Sequence, residues 1–270
     1  PDLNDSLFEP TNTPNALRIK HVFATYSAQA ESVLRNLKMG KIPIVISGDH
    51  ASAGGTIAGI KMAFPKKRLG VVWIDAHADM HSPYTTPSGN VHGMPLSCSL
   101  GFDNLENQRN KPSEETVDFW ERMKNMGGMC PKVLPQDLIF VGVRDTEAEE
   151  VYLMEKHKIS NYEVEEVDEM GMTRIGREIL NELKDCDLIY VSFDVDSMDP
   201  DEVSYGTGTP VQDGITPEQA TKLLSILLAD PRVCCFEMVE VNPLLDKKGN
   251  KMAATALGIL EKVVETMENR

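Results

Sequence analysis

The sequence contains few cysteines, no long apolar run and no excess of positive charge. Its five cysteines are odd in number and none stands in a C-x-x-C pair, which argues against a disulfide framework and a thiolate zinc site. A reducing, cytoplasmic compartment is therefore predicted. No apolar run approaches the roughly 20 residues that span a bilayer, so no membrane segment is expected. The net charge of −15 would repel a phosphate backbone, and no Lys/Arg stripe counters it, so nucleic-acid binding is not expected.

Apolar runs alternate with helical segments along the chain, without repeats or low-complexity tracts. Strands that are continuously apolar and separated by helices indicate a mostly parallel sheet covered on both faces. We predict one α/β domain over residues 1–270 with three αβα layers, and an irregular segment over residues 1–26. The predicted strands are IPIVIS (42–47), LGVVWIDA (69–76), DLIFVGVRD (137–145), LIYVSFDVD (188–196) and VCCFEMVEVNP (233–243).

Polar residues cluster directly after several of these strands. In open parallel sheets, ligands bind outside the carboxyl ends of the strands. Segments far apart in the sequence are therefore expected to meet at one rim. The residues concerned are His50, Asp75 to Asp79, Arg144, Asp145, Asp194, Asp196 and Glu240.

The residue types at this rim indicate a metal site. In extended backbone, Asp75, His77 and Asp79 would point to the same side. Four carboxylates in one concave site repel one another unless cations neutralise them, and two divalent ions would balance the charge. Oxygen ligands with some imidazole favour Mn²⁺ over Zn²⁺ or Ni²⁺. The predicted ligands are His50, Asp75, His77, Asp79, Asp194 and Asp196.

Most of these motifs have simpler explanations when taken singly. A D-x-D such as Asp194-Val195-Asp196 often marks a cap or a turn, and a single histidine such as His50 is more often structural. The segment GDHASAGGT (48–56) resembles a phosphate cradle but lacks the P-loop lysine. The motif DAHAD (75–79) is harder to explain away, because three polar ligands would share one face.

Six ordered motifs resemble those of the arginase (ureohydrolase) family of binuclear manganese enzymes. The resemblance extends over nearly the whole chain from about Lys41 and implies an arginase-like αβα fold. The first strand and glycine-rich turn of the family have no counterpart, so we expect the domain to lack its N-terminal strand. The motifs are SGDHAS (47–52), DAHADMHSP (75–83), SGNVHGMPLS (88–97), SFDVDSMDP (192–200), GTGTPVQDGIT (206–216) and EMVEVNP (237–243).

The resemblance also implies a ligand set and a reaction. A hydroxide bridging two Mn²⁺ ions would attack the guanidinium carbon of L-arginine, and the products would be urea and L-ornithine. Asp79 would also orient the nucleophile, His92 would protonate the leaving amine, and Glu240 would face the guanidinium group. One ion would be held by His50, Asp75, Asp79 and Asp194, and the other by His77, Asp75, Asp194 and Asp196.

Substrate contacts are implied in the same way. Ser88 and Asn90 match residues that meet the α-carboxylate in arginases, and Thr209 would line the pocket. Glu147 and Glu150 match the acidic residues that meet the α-amino group. Two departures concern this end of the pocket, because His81 stands where arginases commonly carry Asn, and Glu147 stands where they usually carry Asp.

Other functions stay open at this point. Agmatinase, guanidinobutyrase and formimidoylglutamase use the same chemistry; agmatine has no α-carboxylate for Ser88 and Asn90 to bind, whereas His81 keeps formimidoylglutamase open. A catalytically silent scaffold would be expected to have lost metal ligands, and all six are present. A two-metal phosphoesterase would need basic residues near the metals. The resemblance also implies a homo-oligomer, a trimer or hexamer.

Overall fold

The computed structural model describes residues 10–270, in which helices and strands alternate. The strands are β1 (Ile44–Ile46), β2 (Leu69–Ile74), β3 (Leu138–Val141), β4 (Ser160–Tyr162), β5 (Leu188–Asp194) and β6 (Val233–Val239). The helices are α1 (Ile19–Lys38), α2 (Ser52–Ala63), α3 (Pro95–Leu100), α4 (Glu114–Lys124), α5 (Ala148–His157), α6 (Val164–Met170), α7 (Met172–Glu182), α8 (Pro217–Leu227) and α9 (Lys251–Glu268).

The six strands form one sheet in the order β1-β6-β5-β2-β3-β4, and every pair is parallel. The register aligns the carboxyl ends of the central strands, because Ile74 lies opposite Phe193 and Phe193 lies opposite Met238. Asp75 and Asp194 directly follow Ile74 and Phe193, and Glu240 lies two positions after Met238. The sheet therefore brings together residues that are far apart in the chain, and the predicted α/β fold is confirmed.

Both faces of the sheet are covered by helices. Val72 and Ile74 of β2 pack into a core with residues of α6 to α9, whereas Val71 and Trp73 pack into a second core with residues of α1, α2, α3 and α5. Because successive side chains of a strand point to opposite faces, a continuously apolar strand fits a sheet buried on both sides. This is the three-layer arrangement that the apolar runs predict.

The N-terminal prediction is wrong over residues 19–26, which belong to α1 rather than to an irregular segment. Its buried positions recur at helical spacing, at Ile19, Tyr26, Ala30, Val33 and Leu37. This stripe packs against α2, where a Cβ atom at Gly59 would lie 2.6 Å from the carbonyl oxygen of Ala30. Close helix packing thus stabilises α1. Residues 1–9 lie outside the described part of the chain.

Smaller elements also differ from the prediction. The short strand β4 and the helices α3 and α6 lie where the sequence pattern predicts no separate element.

All five cysteines are free, Cys130 being exposed and the other four buried. Across residues 10–270, no helix combines the length and the apolar character needed to cross a membrane.

Candidate active site

The DAHAD motif is presented by a turn and not by a strand. Strand β2 ends at Ile74, and Asp79 has a φ of 50° in the left-handed region. The backbone N–H of His77 donates to Oδ1 of Asp75 at 2.7 Å, which stabilises the turn. The extended geometry that the alternation suggests is therefore wrong, although the side chains of Asp75, His77 and Asp79 do converge. A non-glycine residue held at positive φ is a feature of functional sites.

A first group of ligand atoms surrounds the imidazole of His50, which is 1% exposed. Its Nδ1 lies 2.9 Å from Oδ2 of Asp75, 3.1 Å from Oδ2 of Asp194 and 3.3 Å from Oδ2 of Asp79. In spite of these distances, Nδ1 has no partner in hydrogen-bonding geometry among the described residues. A buried nitrogen that faces three carboxylate oxygens without a hydrogen bond fits the ligand shell of a cation.

A second group of ligand atoms adjoins the first. Nδ1 of His77 lies 3.2 Å from Oδ2 of Asp196 and 3.4 Å from Oδ1 of Asp75. Asp75 therefore turns one oxygen toward His50 and the other toward His77. The two groups, His50-Asp75-Asp79 and Asp75-His77-Asp196, each have ligand atoms close enough to hold a metal ion. We call the six predicted ligands, which include Asp194, the ligand cluster.

The charges of the ligand cluster are mutually unfavourable without a cation. Burial and then the neighbouring Asp75 raise the pKa of Asp79 well above its usual value, and burial followed by Asp196 does the same for Asp194. Burial would lower the pKa of His50, but the adjacent carboxylate of Asp75 outweighs burial and raises that pKa to about 9. Metal ions bind the deprotonated forms of such groups and replace the protons.

Two side chains that the sequence analysis missed hold the ligands in place. The indole Nε1 of Trp73 donates to Oδ2 of Asp75 at 2.9 Å, and its ring stacks on His50 at 4.0 Å. The Oγ of Ser192 lies 2.8 Å from Nε2 of His50. Each residue precedes a strand-end aspartate by two positions, so it points to the same side of its strand. That spacing is the signal that could have identified Trp73 and Ser192.

Glu240 connects the ligand cluster to the open part of the site. Its Oε1 accepts a hydrogen bond from the backbone N–H of His50 at 2.9 Å, and Nδ1 of His92 lies 3.9 Å from the same oxygen. Glu240 has a φ of 66°, and burial raises its pKa to about 7. A carboxylate held in a strained conformation at the mouth of a buried cluster is suited to bind a cationic group.

A cavity of about 270 Å³ opens over the ligand cluster. Every predicted site residue lines it except Asp75, which is fully buried. Among the described residues that line the cavity there is no lysine or arginine. The lining residues predicted from the sequence are His50, His77, Asp79, His81, Ser88, Asn90, His92, Glu147, Glu150, Asp194, Asp196, Thr209 and Glu240.

The predicted carboxylate-binding residues lie on an exposed loop, and Thr209 has a second contact. The backbone N–H of Asn90 donates to Oγ of Ser88 at 3.1 Å, and Gly89 between them has a φ of 79°. The hydroxyl of Thr209 donates to Oδ2 of Asp196 at 3.1 Å. Thr209 therefore positions a member of the ligand cluster in addition to lining the cavity.

His81, Glu147 and Glu150 form a separate group at the start of α5, which we call the α5 cluster. Glu150 is 3% exposed, and its two carboxylate oxygens accept hydrogen bonds from the backbone N–H groups of Met80 at 2.9 Å and Glu147 at 3.2 Å. Burial and then the hydrogen bond with Glu147 raise the pKa of Glu150 to about 8. Glu150 thus joins the DAHAD turn to the first turn of α5, a structural contact that the sequence does not predict.

Fold and site together define a class of protein: a parallel αβα protein with clustered aspartates and histidines for metal at the carboxyl edge of its sheet. The Arginase family model matches residues 2–265, and the chain belongs to the arginase family. An arginase from Bacillus caldovelox is 35% identical over 243 residues, which cover 90% of this chain and 75% of that protein. The predicted family is confirmed.

Solved structures agree with this assignment. The native structure of Bacillus caldovelox arginase at pH 5.6 has a TM-score of 0.82 and 33% identity, and the match covers 95% of this chain and 79% of that one. Entamoeba histolytica arginase in complex with L-ornithine has a TM-score of 0.80 and 29% identity, over 95% and 82% of the two chains. The protein is a hydrolase of the arginase-type ureohydrolase class, as the motifs predict.

Proposed function

We propose that this protein hydrolyses the guanidinium group of L-arginine to L-ornithine and urea and that it uses two Mn²⁺ ions. The observation that carries the proposal is the pair of ligand groups that share Asp75 beneath an acidic cavity. The shared carboxylate would bring two ions close enough to act on one water molecule.

The residues present fit such a pair of ions. His50, Asp75, Asp79 and Asp194 would hold one ion, and His77, Asp75, Asp194 and Asp196 the other. The four carboxylates match the four positive charges, and Nδ1 of His50 would gain the partner that it lacks. When bound, two divalent ions lower the pKa of a shared water toward neutrality and thereby supply the nucleophile. Asp79 would orient that water.

The open side of the cavity supplies the remaining chemistry. Glu240 would accept hydrogen bonds from the guanidinium group, a charge-assisted pairing with defined geometry. His92 has a side chain that is 30% exposed, so it can exchange protons with solvent, and it lies beside Glu240. It would hold the proton that the leaving amine requires.

Charge supports a cationic substrate. The ligand cluster can be neutralised by two ions, but Glu240 and Glu147 remain as acidic groups in the lining, together with Asp145. A substrate with two carboxylates, such as formiminoglutamate, would find no lysine or arginine among the described residues of the lining. Ser88 and Asn90 would provide polar contacts for the single carboxylate of arginine.

The test is urea release by the purified chain, loaded with Mn²⁺, from L-arginine and agmatine, with formimino-group hydrolysis of formiminoglutamate measured alongside. L-Arginine should have the highest kcat/KM, because it alone offers both a guanidinium group and an α-carboxylate. A higher kcat/KM for another of these compounds would identify that compound, instead of arginine, as the substrate. If the metal-loaded protein hydrolysed none of these compounds, the alternative of a catalytically silent scaffold would be favoured.

The proposal includes a cytoplasmic homo-oligomer, a trimer or hexamer, as the family resemblance implies. Sedimentation equilibrium of the purified protein tests the oligomeric state, since the chain has a mass of 29.9 kDa. A monomer in the presence of Mn²⁺ would contradict this part and leave the chemistry untouched.

A further inference from the structure

The imidazole of His81 is fixed in the wall of the cavity. It is 6% exposed, and its Nδ1 lies 3.1 Å from Oγ1 of the fully buried Thr85. Its Nε2 lies 3.0 Å from Oε2 of Glu147 and 3.6 Å from Oε2 of Glu150. Both ring nitrogens therefore have partners inside the protein, and the ring has little freedom to turn.

Glu147 is the carboxylate of the α5 cluster that a ligand can reach. Its side chain is 49% exposed, whereas Glu150 is buried and accepts two backbone N–H groups. The Glu147 side chain also accepts the backbone N–H of Glu150 in the capping box of α5. With Oε2 occupied by His81, the Glu147 carboxylate already has a donor where a substrate ammonium group would need to bind.

We propose that His81 is a specificity-determining residue that makes, within the protein, the contact with Glu147 that a substrate ammonium would otherwise make. The enzyme then selects ω-guanidino carboxylates through the guanidinium and carboxylate groups and gains little from an α-ammonium group. This inference rests on the proposed guanidino hydrolysis and specifies its substrate class. It follows from the contacts of His81 and does not depend on a change in its protonation.

The expected effect follows from the strength of the contact that the substrate loses. A hydrogen bond to a charged group changes an affinity by about 10- to 100-fold. An ammonium group must share Glu147 with His81, so the native protein should realise only a small part of this factor. Replacing the imidazole by the shorter Asn side chain would free Glu147 and restore the full factor of about 10- to 100-fold.

The experiment compares L-arginine with 5-guanidinopentanoate, which is arginine without its α-amino group. The native protein with Mn²⁺ should have kcat/KM values within about tenfold for the two compounds. In His81→Asn this ratio should rise by about 10- to 100-fold in favour of L-arginine, through KM and with kcat little changed. A native ratio above about 1,000 that His81→Asn leaves unchanged would overturn the inference.

Two further variants separate this role from a general disturbance. His157→Asn changes a histidine at the end of α5 whose ring stacks on Phe102, so the ratio should not change. Glu147→Gln in the native background should alter the ratio by less than about threefold, because the ammonium makes little use of that carboxylate. A loss of about 10-fold or more in Glu147→Gln would contradict the inference even if His81→Asn failed to fold.

Binding measured without turnover distinguishes this inference from the proposed function. Calorimetry with L-ornithine and 5-aminopentanoate should give similar affinities for the native protein and a clear preference for L-ornithine in His81→Asn. If native protein hydrolysed no guanidino compound but showed this change, the proposed function would fail and the role of His81 would stand. If the native protein hydrolysed arginine but His81→Asn showed no change in the binding preference, the proposed function would stand and the role of His81 would fail.

Discussion

The ligand cluster and the α5 cluster contain the same kinds of residue, carboxylates and imidazoles. They differ in whether the polar atoms of these side chains have hydrogen-bond partners. In the ligand cluster, Nδ1 of His50 is buried without a hydrogen-bond partner. In the α5 cluster, both ring nitrogens of His81 and both oxygens of Glu150 have partners. Either group has the spacing to hold an ion. Unsatisfied ligand atoms distinguish a binding site from a cavity wall.

Position in the fold accounts for this difference. The ligand cluster lies at the carboxyl ends of β2 and β5 and in the loop after β1, and the sheet register aligns the ends of these strands. The α5 cluster lies where a turn meets the start of a helix, so backbone N–H groups without helical partners are available to its carboxylates. The sheet edge leaves the side chains facing one another, while the helix start satisfies them locally.

Removal of the carboxylate that the two ligand groups share should have the largest effect. Asp75→Asn keeps the shape of the side chain but removes the charge that both groups use, so we expect urea release to fall by about 10⁴-fold. Metal analysis and a urea assay measure the effect, with the exposed Asp187→Asn as the matched control. Asp75→Asn protein with normal metal content and turnover would show that the two groups are not one centre.

The second prediction concerns His92, which faces the cavity without belonging to either cluster. His92→Asn should lower kcat by about 10²- to 10³-fold, because it removes the proposed general acid, and should leave the Mn²⁺ content unchanged. His157→Asn serves as the control. If His92→Asn emptied the metal site instead, the proton-transfer role would be wrong.

The third prediction tests the support behind the ligands. Ser192→Ala removes the partner of Nε2 of His50 and should weaken Mn²⁺ binding by about 10- to 100-fold. Ser225→Ala on α8 removes a hydroxyl that donates to the carbonyl of Thr221 and should leave metal affinity unchanged. Equal metal affinity in the two variants would mean that the imidazole needs no fixed orientation.

The smallest effect should come from the satisfied cluster, and it concerns stability. The folded protein raises the pKa of Glu150 to about 8, so between about pH 4.5 and 8 it retains a proton that the unfolded chain has lost. This contribution to stability is complete below pH 4.5 and is lost as the pH rises through about 8. Urea unfolding between pH 5 and 9 should show a smaller fall in stability with pH for Glu150→Gln than for the native protein. Parallel pH profiles would contradict this.

The residues that meet in the ligand cluster were predictable because both their types and their positions are informative. Asp75 and Glu240 directly follow central strands and Asp194 ends one, and carboxylates in such number need a cation whatever the surrounding fold. The start of α1 was not predictable in the same way, since Ile19 and Tyr26 become a helix face only through packing against α2. The coupling of His81 to Glu147 spans 66 positions in the chain and depends on where α5 begins.

Residue order thus specified the parallel sheet, the acidic rim and the family, because periodicity and strand-end chemistry are local properties. Tertiary structure decided which polar atoms found partners. Side-chain hydrogen bonds between distant segments depend on contacts of about 3 Å. The residue spacing within one segment does not by itself predict these contacts. It is this long-range pairing that leaves His50 open to a cation and fixes His81 in the cavity wall.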